Sequence, residues 1–342
     1  MTTSSASSAT AAIQTTAPNL NAALKLAIEI LREPSLNEAD FEQVKQQRIA
    51  AVEANRSEPS SLATEALQAH ITPYPRGDVR HVATIDEQIA DLKAVTLESV
   101  RQFHSNFYGA SHGEMVVLGP VDPAQVQKTA ADLLGNWNSG LVYSRILSSY
   151  QPVSPINRTI HTPDKTNATF EAAIRIRMSE KDPDYPAMIL ANQMFGGSLG
   201  SRMPNRIRNV EGLSYSVFSR FIAPIEGDAG LFAASAISAP HNTLKVESSF
   251  IDELQNTLKN GFTPAEVATA KKAYHDQRMV SRSQEAALAR TILMEEQYDR
   301  TMKWDDELEA RIEALTPDQI NAAFRRNIDA AALSIVKAGD FK

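Results

Sequence analysis

The 342-residue chain is long enough for two domains, and its 43% hydrophobic and 22% charged residues are ordinary for a globular protein with a sizeable core. A net charge of −7 and only 6% aromatic residues argue against general affinity for nucleic acid or an anionic membrane, and no run of 18 apolar residues is present to span a bilayer. The absence of cysteine removes disulfides, thiolate zinc sites and cysteine nucleophiles, and fits any compartment.

The first twenty residues, rich in Ser, Thr and Ala, lack the basic and apolar regions of a secretory signal and read as a disordered leader over 1–20. Apolar positions at helical spacing predict a helix over 21–33, stopped by Pro34. A long charged helix follows and ends before Pro59. "SLATEALQAHI" predicts a third helix, and "YPRGD" at 74–78 a loop. "TLESVRQFHSNFYG" predicts a helix with Thr96 as its N-cap and Glu98 in the first turn. The apolar run 113–121, stopped by Gly-Pro, predicts a buried strand, and "DPAQVQKTAADLLGNW" a helix with Pro123 in its first turn.

Residues from about 138 to 156 carry Ser, Pro and Gly without clear periodicity, and the linker is read over 141–156. Beyond it come a strand in "NATFEAAIRIRM", a helix in "DPDYPAMILANQMF" and a short helix in "SRMPNRIRNVEG". "LSYSVFSRF" and "GLFAASAIS" predict two strands that pair across the loop at 223–230. Two amphipathic helices follow, the first ended by Gly261 and the second opened by Thr263-Pro264 with Glu266; a last helix and a last strand close the chain. Residues 92–119 and 312–339 share a Thr, an amphipathic helix of one length and an apolar run ending in Gly, so the second half reads as a fuller copy of the first.

Chemistry concentrates at "FGGSLGSRMPNRIRNVEGLSYSV", residues 195–217. Gly196 to Gly200 spell G-x-S-x-G, but a nucleophile elbow needs a strand running into the serine, and a helical pattern runs into Gly196. A phosphate loop needs a preceding strand too, and no lysine stands here. The seven histidines include no pair three to five residues apart, so no helix presents two imidazoles on one face, and no metal site is assigned. Arg208 and Tyr215 remain, bracketing Glu211-Gly212. A positive φ at Gly212 turns the chain back over the helix end and lets guanidinium and phenol converge. On the residues alone two readings stand: a pair of donors for a carbonyl or oxyanion, or a surface arginine and a half-buried strand tyrosine.

With Gly196-Gly197, Ser201-Arg202, Arg208, Glu211-Gly212-Leu213 and Tyr215, this segment resembles the second-domain signature of the M16 metallopeptidases, the pitrilysin and insulinase group, in which GG-x-x-x-SR precedes R-x-x-E-G-L-x-Y. The resemblance runs from about residue 20 to 340. It implies α+β units, mostly antiparallel sheets covered by helices, and two halves closing like a clam shell around a peptide that joins a sheet edge as an added strand. It further implies zinc in one half on an inverted His-x-x-Glu-His, with Arg208 and Tyr215 binding substrate from the other half and Gly196, Gly197 and Gly212 shaping the turns. The His-x-x-Glu-His is absent here, and Glu53, near the place of the third ligand, reads as a helix-surface carboxylate. The resemblance therefore implies a partial first domain over 21–140, lacking its early strands and zinc helix, and a complete C-terminal-type domain over 157–342. It implies no catalytic residue and no bound cofactor on this chain alone, with zinc in a complementary half that is its partner and the periplasm as compartment. The alternative is a structural or assembly subunit of the same descent.

Overall fold

The computed structural model describes residues 2–5 and 8–341. Of the leader expected over 1–20, residues 1, 6 and 7 lie outside the described residues; β1 (Thr2–Ser5) and β2 (Ser8–Thr10) pair antiparallel. In chain order there follow α1 (Leu20–Arg32), α2 (Glu38–Ala54), α3 (Pro59–Ile71), α4 (Ile85–Ala94), α5 (Leu97–Phe107) and α6 (Pro123–Leu134). The second half holds β3 (Asn157–His161), β4 (Ala168–Arg177), α7 (Tyr185–Phe195), α8 (Arg202–Pro204), which runs on into a π-helix over Asn205–Val210, β5 (Ser214–Ile222) and β6 (Ala229–Ser238). It closes with α9 (Thr243–Asn260), α10 (Pro264–Ser283), α11 (Glu285–Gln297), α12 (Met302–Ala314), α13 (Pro317–Asn327) and β7 (Ser334–Gly339). The fold is α+β, as expected. Strand β3 and helices α4, α11 and α12 carry no boundary signal strong enough to have been anticipated.

The chain divides into two compact units, each discontinuous in sequence. The first comprises Met1–Ala51, Ile89–Ile146 and Ser281–Met302. Side chains bonding to helix-end carbonyls tie it together. His104 Nε2 donates to Leu31 O at 2.8 Å, joining α5 to α1, and Arg32 donates to Leu133 O and Asn136 Oδ1, joining α1 to α6. The buried strand expected over 113–121 does not form. Those residues have no ladder partner, and Met115 and Leu118 are exposed. An apolar run becomes a strand only where neighbours accept its backbone bonds. The repeat shows the contrast. Thr96 and Thr316 both close capping boxes, with Ser99 and Gln319. After the second helix β7 is buried at all six positions, paired on both sides; after the first, the matching residues stand alone.

The second unit comprises Val52–Gln88, Leu147–Val280 and Lys303–Lys342. Its five-stranded sheet runs β3-β7-β4-β6-β5, antiparallel except for the β3–β7 pair. One face packs on α7, α9 and α13 around Phe195, Phe232, Phe250 and Phe324, whose rings lie 5.6–6.1 Å from that of Phe195. On the other face Ala63, Leu67 and Ile71 of α3 cover Ala173, Val336 and Ala338 of β4 and β7. Over β5 and β6 that face lies open: Phe218, Ile222 and Ile237 are exposed there. The small alanines of the inner strands let α3 sit close, and the bulkier side chains are left for the uncovered strands.

Candidate functional site

The glycine-rich segment begins where α7 ends. The backbone N–H groups of Gly196 and Gly197 both donate to Asn192 O, at 3.0 and 2.8 Å. Gly196 O accepts the N–H of Ser219 on β5 at 2.9 Å, and Ser219 Oγ donates to Asn192 Oδ1 at 2.8 Å. Turn and strand touch so closely that a Cβ on Gly196 would lie 2.5 Å from Ser219 Oγ and 2.8 Å from its Cβ. Glycine is required here by contact. Ser198 is exposed, and its backbone N–H rather than its hydroxyl is engaged, with Ser201 Oγ; a helix runs into the loop, the wrong context for a nucleophile elbow.

The π-helix ends at Gly212, where φ is +64° with open space around the missing Cβ. Leu213 N–H closes the end by donating to Ile207 O at 2.9 Å, one residue wider than an α-helical Schellman bond because the helix is wound wider. Glu211 clips the turn. Its Oε1 accepts Arg206 Nε at 2.9 Å and its Oε2 accepts Ser249 Oγ at 2.5 Å. Burial pushes the Glu211 carboxyl up, but those two donors outweigh it and hold it below the usual range. Arg202 is tied more firmly. Its Nε and Nη2 bond both oxygens of Glu266, at 2.6 and 2.8 Å, and Nη2 also donates to Gly261 O.

Out of this braced turn Arg208 and Tyr215 emerge together, the guanidinium carbon 5.9 Å from the Tyr215 ring centroid. Strand register slips between Ser214↔Ser238 and Ser216↔Ile237, so Tyr215 is the extra residue of a β-bulge and is 85% exposed. Neither side chain makes a hydrogen bond or ion pair among the described residues. Two donors therefore stand side by side on a rigid turn, available to an acceptor from outside.

The sheet face that α3 covers at β4 and β7 carries a group that the strand pattern concealed. Glu171 of β4 accepts Ser235 Oγ at 2.7 Å. Burial raises its carboxyl pKa above the ordinary 4.5, against the Ser235 bond and Arg220. A charge inside the apolar string "ATFEAAIRIR" was the available signal. The folded state holds this proton more tightly than the unfolded chain. Its contribution to stability is complete below pH 4.5 and falls as pH rises through the raised value. Glu171→Gln keeps an oxygen for Ser235, so it is expected to melt above the parent protein at pH 7, with the two curves converging towards pH 4. Parallel curves at both pH values would refute the assignment.

Among the described residues no three of His, Asp and Glu come together where they could hold a metal ion. His70 and His104 bond backbone carbonyls, His81 bridges Tyr74 O and Glu87, and His275 meets Glu309. Glu53 accepts Arg56 Nε at 2.6 Å. These residues do not assemble the donor set that zinc needs.

A family model described as the peptidase M16 inactive domain matches residues 94–274. The chain belongs to the peptidase M16 family. It is 27% identical over 244 residues to an uncharacterized zinc protease of Streptomyces coelicolor, covering 68% of this chain and 51% of that one. It is 23% identical to the probable inactive metalloprotease YmfF of Bacillus subtilis, covering 76% and 60%. The M16 chain thus spans about half to three-fifths of these curated relatives. Among solved structures, a peptidase M16 inactive domain from Pseudomonas fluorescens superposes with a TM-score of 0.76 at 24% identity, over 93% of this chain and 74% of that one. The periplasmic protease PqqL from Escherichia coli does so with a TM-score of 0.67 at 15% identity, over 93% and 35%. At such identities the structural likeness speaks for the M16 fold alone. Among the described residues no helix is long and apolar enough to cross a membrane.

Proposed function

We propose that this chain is the substrate-binding, non-hydrolytic half of an M16-type zinc metallopeptidase, completed by a zinc-bearing half. One observation carries the reading: Arg208 and Tyr215, without partners of their own, converge on a turn braced by Arg202, Arg206 and Glu211. A guanidinium and a phenol side by side suit a peptide carbonyl whose oxygen gains charge as it is attacked. The activated water and its general base belong to the complementary half, whether part of the same precursor or a separate subunit. Edge pairing of the peptide with β5 is confined to the start of that strand, because Gly196 O already holds Ser219 N–H. The reading keeps 21–140 as a partial M16 domain and 157–342 as a complete one, supported by the unpaired run at 113–121 set against the fully paired β7. The periplasm remains the proposed compartment, by analogy with the structural neighbour from that space.

Turnover of a fluorogenic peptide by this chain mixed with its zinc-bearing half tests the proposal. Arg208→Ala and Tyr215→Phe are each expected to lower kcat/KM by about 100-fold, the usual cost of one oxyanion donor, with Ser198→Ala unchanged. Full turnover in both variants would overturn it. Stable association with no hydrolysis in any mixture would favour an assembly role.

A further inference from the structure

β3 (Asn157–His161) is the terminal strand of the sheet on the side away from β5. Its parallel partner β7 takes only every second residue. Ile335 N–H donates to Ile156 O at 2.7 Å, and Thr162 N–H donates to Gly339 O at 2.9 Å. Residues 156, 158, 160 and 162 thus turn their backbone groups towards β7, and Asn157, Thr159 and His161 point theirs outward. Among the described residues nothing bonds to those outward groups, and all three residues are exposed.

A hollow of about 280 Å³ opens at the start of this edge. Asn157 and its register partner Ile335 line it, with Ile251 and Leu254 of α9 and Leu333 just before β7. The charges beside it are already balanced: Lys337 Nζ donates to Glu247, whose other oxygen accepts Asn157 Nδ2 at 2.6 Å. What remains to be covered there is chiefly apolar. On the opposite face of the strand Arg158 stands exposed, and no hydrogen bond or ion pair engages it among the described residues.

Vacant amides and carbonyls at strand spacing are answered by one kind of occupant, an extended backbone. Alternation then assigns its side chains. The residue opposite Asn157 faces the hollow and is apolar; its neighbour opposite Arg158 faces the other way and is acidic. We propose that β3 is a docking edge for an extended segment of a partner protein, which places an apolar side chain in the hollow and a carboxylate beside Arg158. A second copy of this chain does not meet these demands. Paired antiparallel about Thr159, it would bring His161 over the hollow and Ile160 opposite Arg158. The edge is separate from the Arg208–Tyr215 turn: β3 and β5 lie four strand spacings apart, about 19 Å at 4.8 Å each. The proposal therefore does not rest on the function proposed above.

Backbone amide NMR of the isotope-labelled full chain tests the edge. The probe is an acetylated and amidated heptapeptide with leucine at its centre and glutamate on either side, so that strand direction does not matter. The amide signals of Asn157, Thr159 and His161 are expected to move saturably and to exchange more slowly with solvent. Methylating every backbone nitrogen of the probe is expected to abolish the response, and alanine at its centre to weaken binding about tenfold. Arg158→Ala is expected to weaken the glutamate-flanked probe about threefold and to leave a glutamine-flanked one unchanged. Thr159→Pro removes an outward N–H that the fold does not use, and is expected to prevent docking. No saturable movement at about 10 mM probe, tenfold above the Kd of a weak millimolar contact, would overturn the proposal. So would equal binding of the methylated probe, or movement confined to β5. Dilution-dependent movement of the same amides without probe would mean that a second copy covers the edge, and would overturn the choice of partner.

Discussion

Phe195→Ala is expected to destabilise the sheet-bearing unit by about 3–5 kcal/mol, the range for truncating a fully buried aromatic side chain. Phe195 has no exposed surface and packs against Phe232, Phe250 and Phe324, so the void opens where sheet, α7, α9 and α13 meet. Four aromatic rings in staggered contact cannot collapse into that space without leaving their rotamers. The residue also ends α7 immediately before Gly196, so the variant should loosen the turn that brings Arg208 to Tyr215. Urea unfolding followed by circular dichroism measures the loss. Phe218→Ala, at a 45% exposed position on the open face, is the control and should change stability little. A loss below 1 kcal/mol for Phe195→Ala would mean that the ring is not the keystone its contacts describe.

Arg202→Ala is expected to cost about 3 kcal/mol at pH 7, because it leaves a partly buried Glu266 carboxylate without its fork and frees the Gly261 carbonyl at the end of α9. Arg202→Lys should not restore the loss, since one ammonium cannot bond both oxygens and still reach Gly261 O. The pH profile separates this effect from lost packing over Phe262, which lies 4.9 Å below the guanidinium. Burial pushes the Glu266 carboxyl up, but the Arg202 fork and the Thr263 N–H and hydroxyl overcome it and hold the pKa at about 2. A folded-state value below the ordinary 4.5 makes a contribution that is present above 4.5 and is lost as pH falls towards 2. The parent protein should therefore lose stability over that acid range, and Arg202→Ala should lose less. Equal acid slopes would sink the electrostatic account while leaving the packing role of the side chain.

Whatever is written within a few residues was legible before the structure. The caps at Thr96 and Thr316, the stop at Gly261 and the positive φ at Gly212 all follow from local chemistry. So does the β5–β6 hairpin, whose two alternating runs flank a short loop. Pairings across the chain were not legible. The run 113–121 has the composition of a strand and lacks only neighbours, whereas β3, with its polar "NRTIH", becomes a strand because β7 offers it a parallel edge. Arg208 and Tyr215 could be singled out because seven residues and a glycine separate them. Glu171 and Ser235 meet across 64 positions, and what raises the carboxyl, its burial, is a property of the folded surroundings alone.

The bond from Ser219 N–H to Gly196 O has a bearing on colloidal behaviour as well. A terminal strand with a row of vacant amides and carbonyls is a template for another copy of itself, and β5 is long and flanked by exposed Phe218 and Ile222. Pinning its middle to the glycine turn breaks the unbroken edge that a second copy of the strand would have to match along its whole length. The turn at Gly196 is thus expected to disfavour edge-to-edge growth of copies along this sheet.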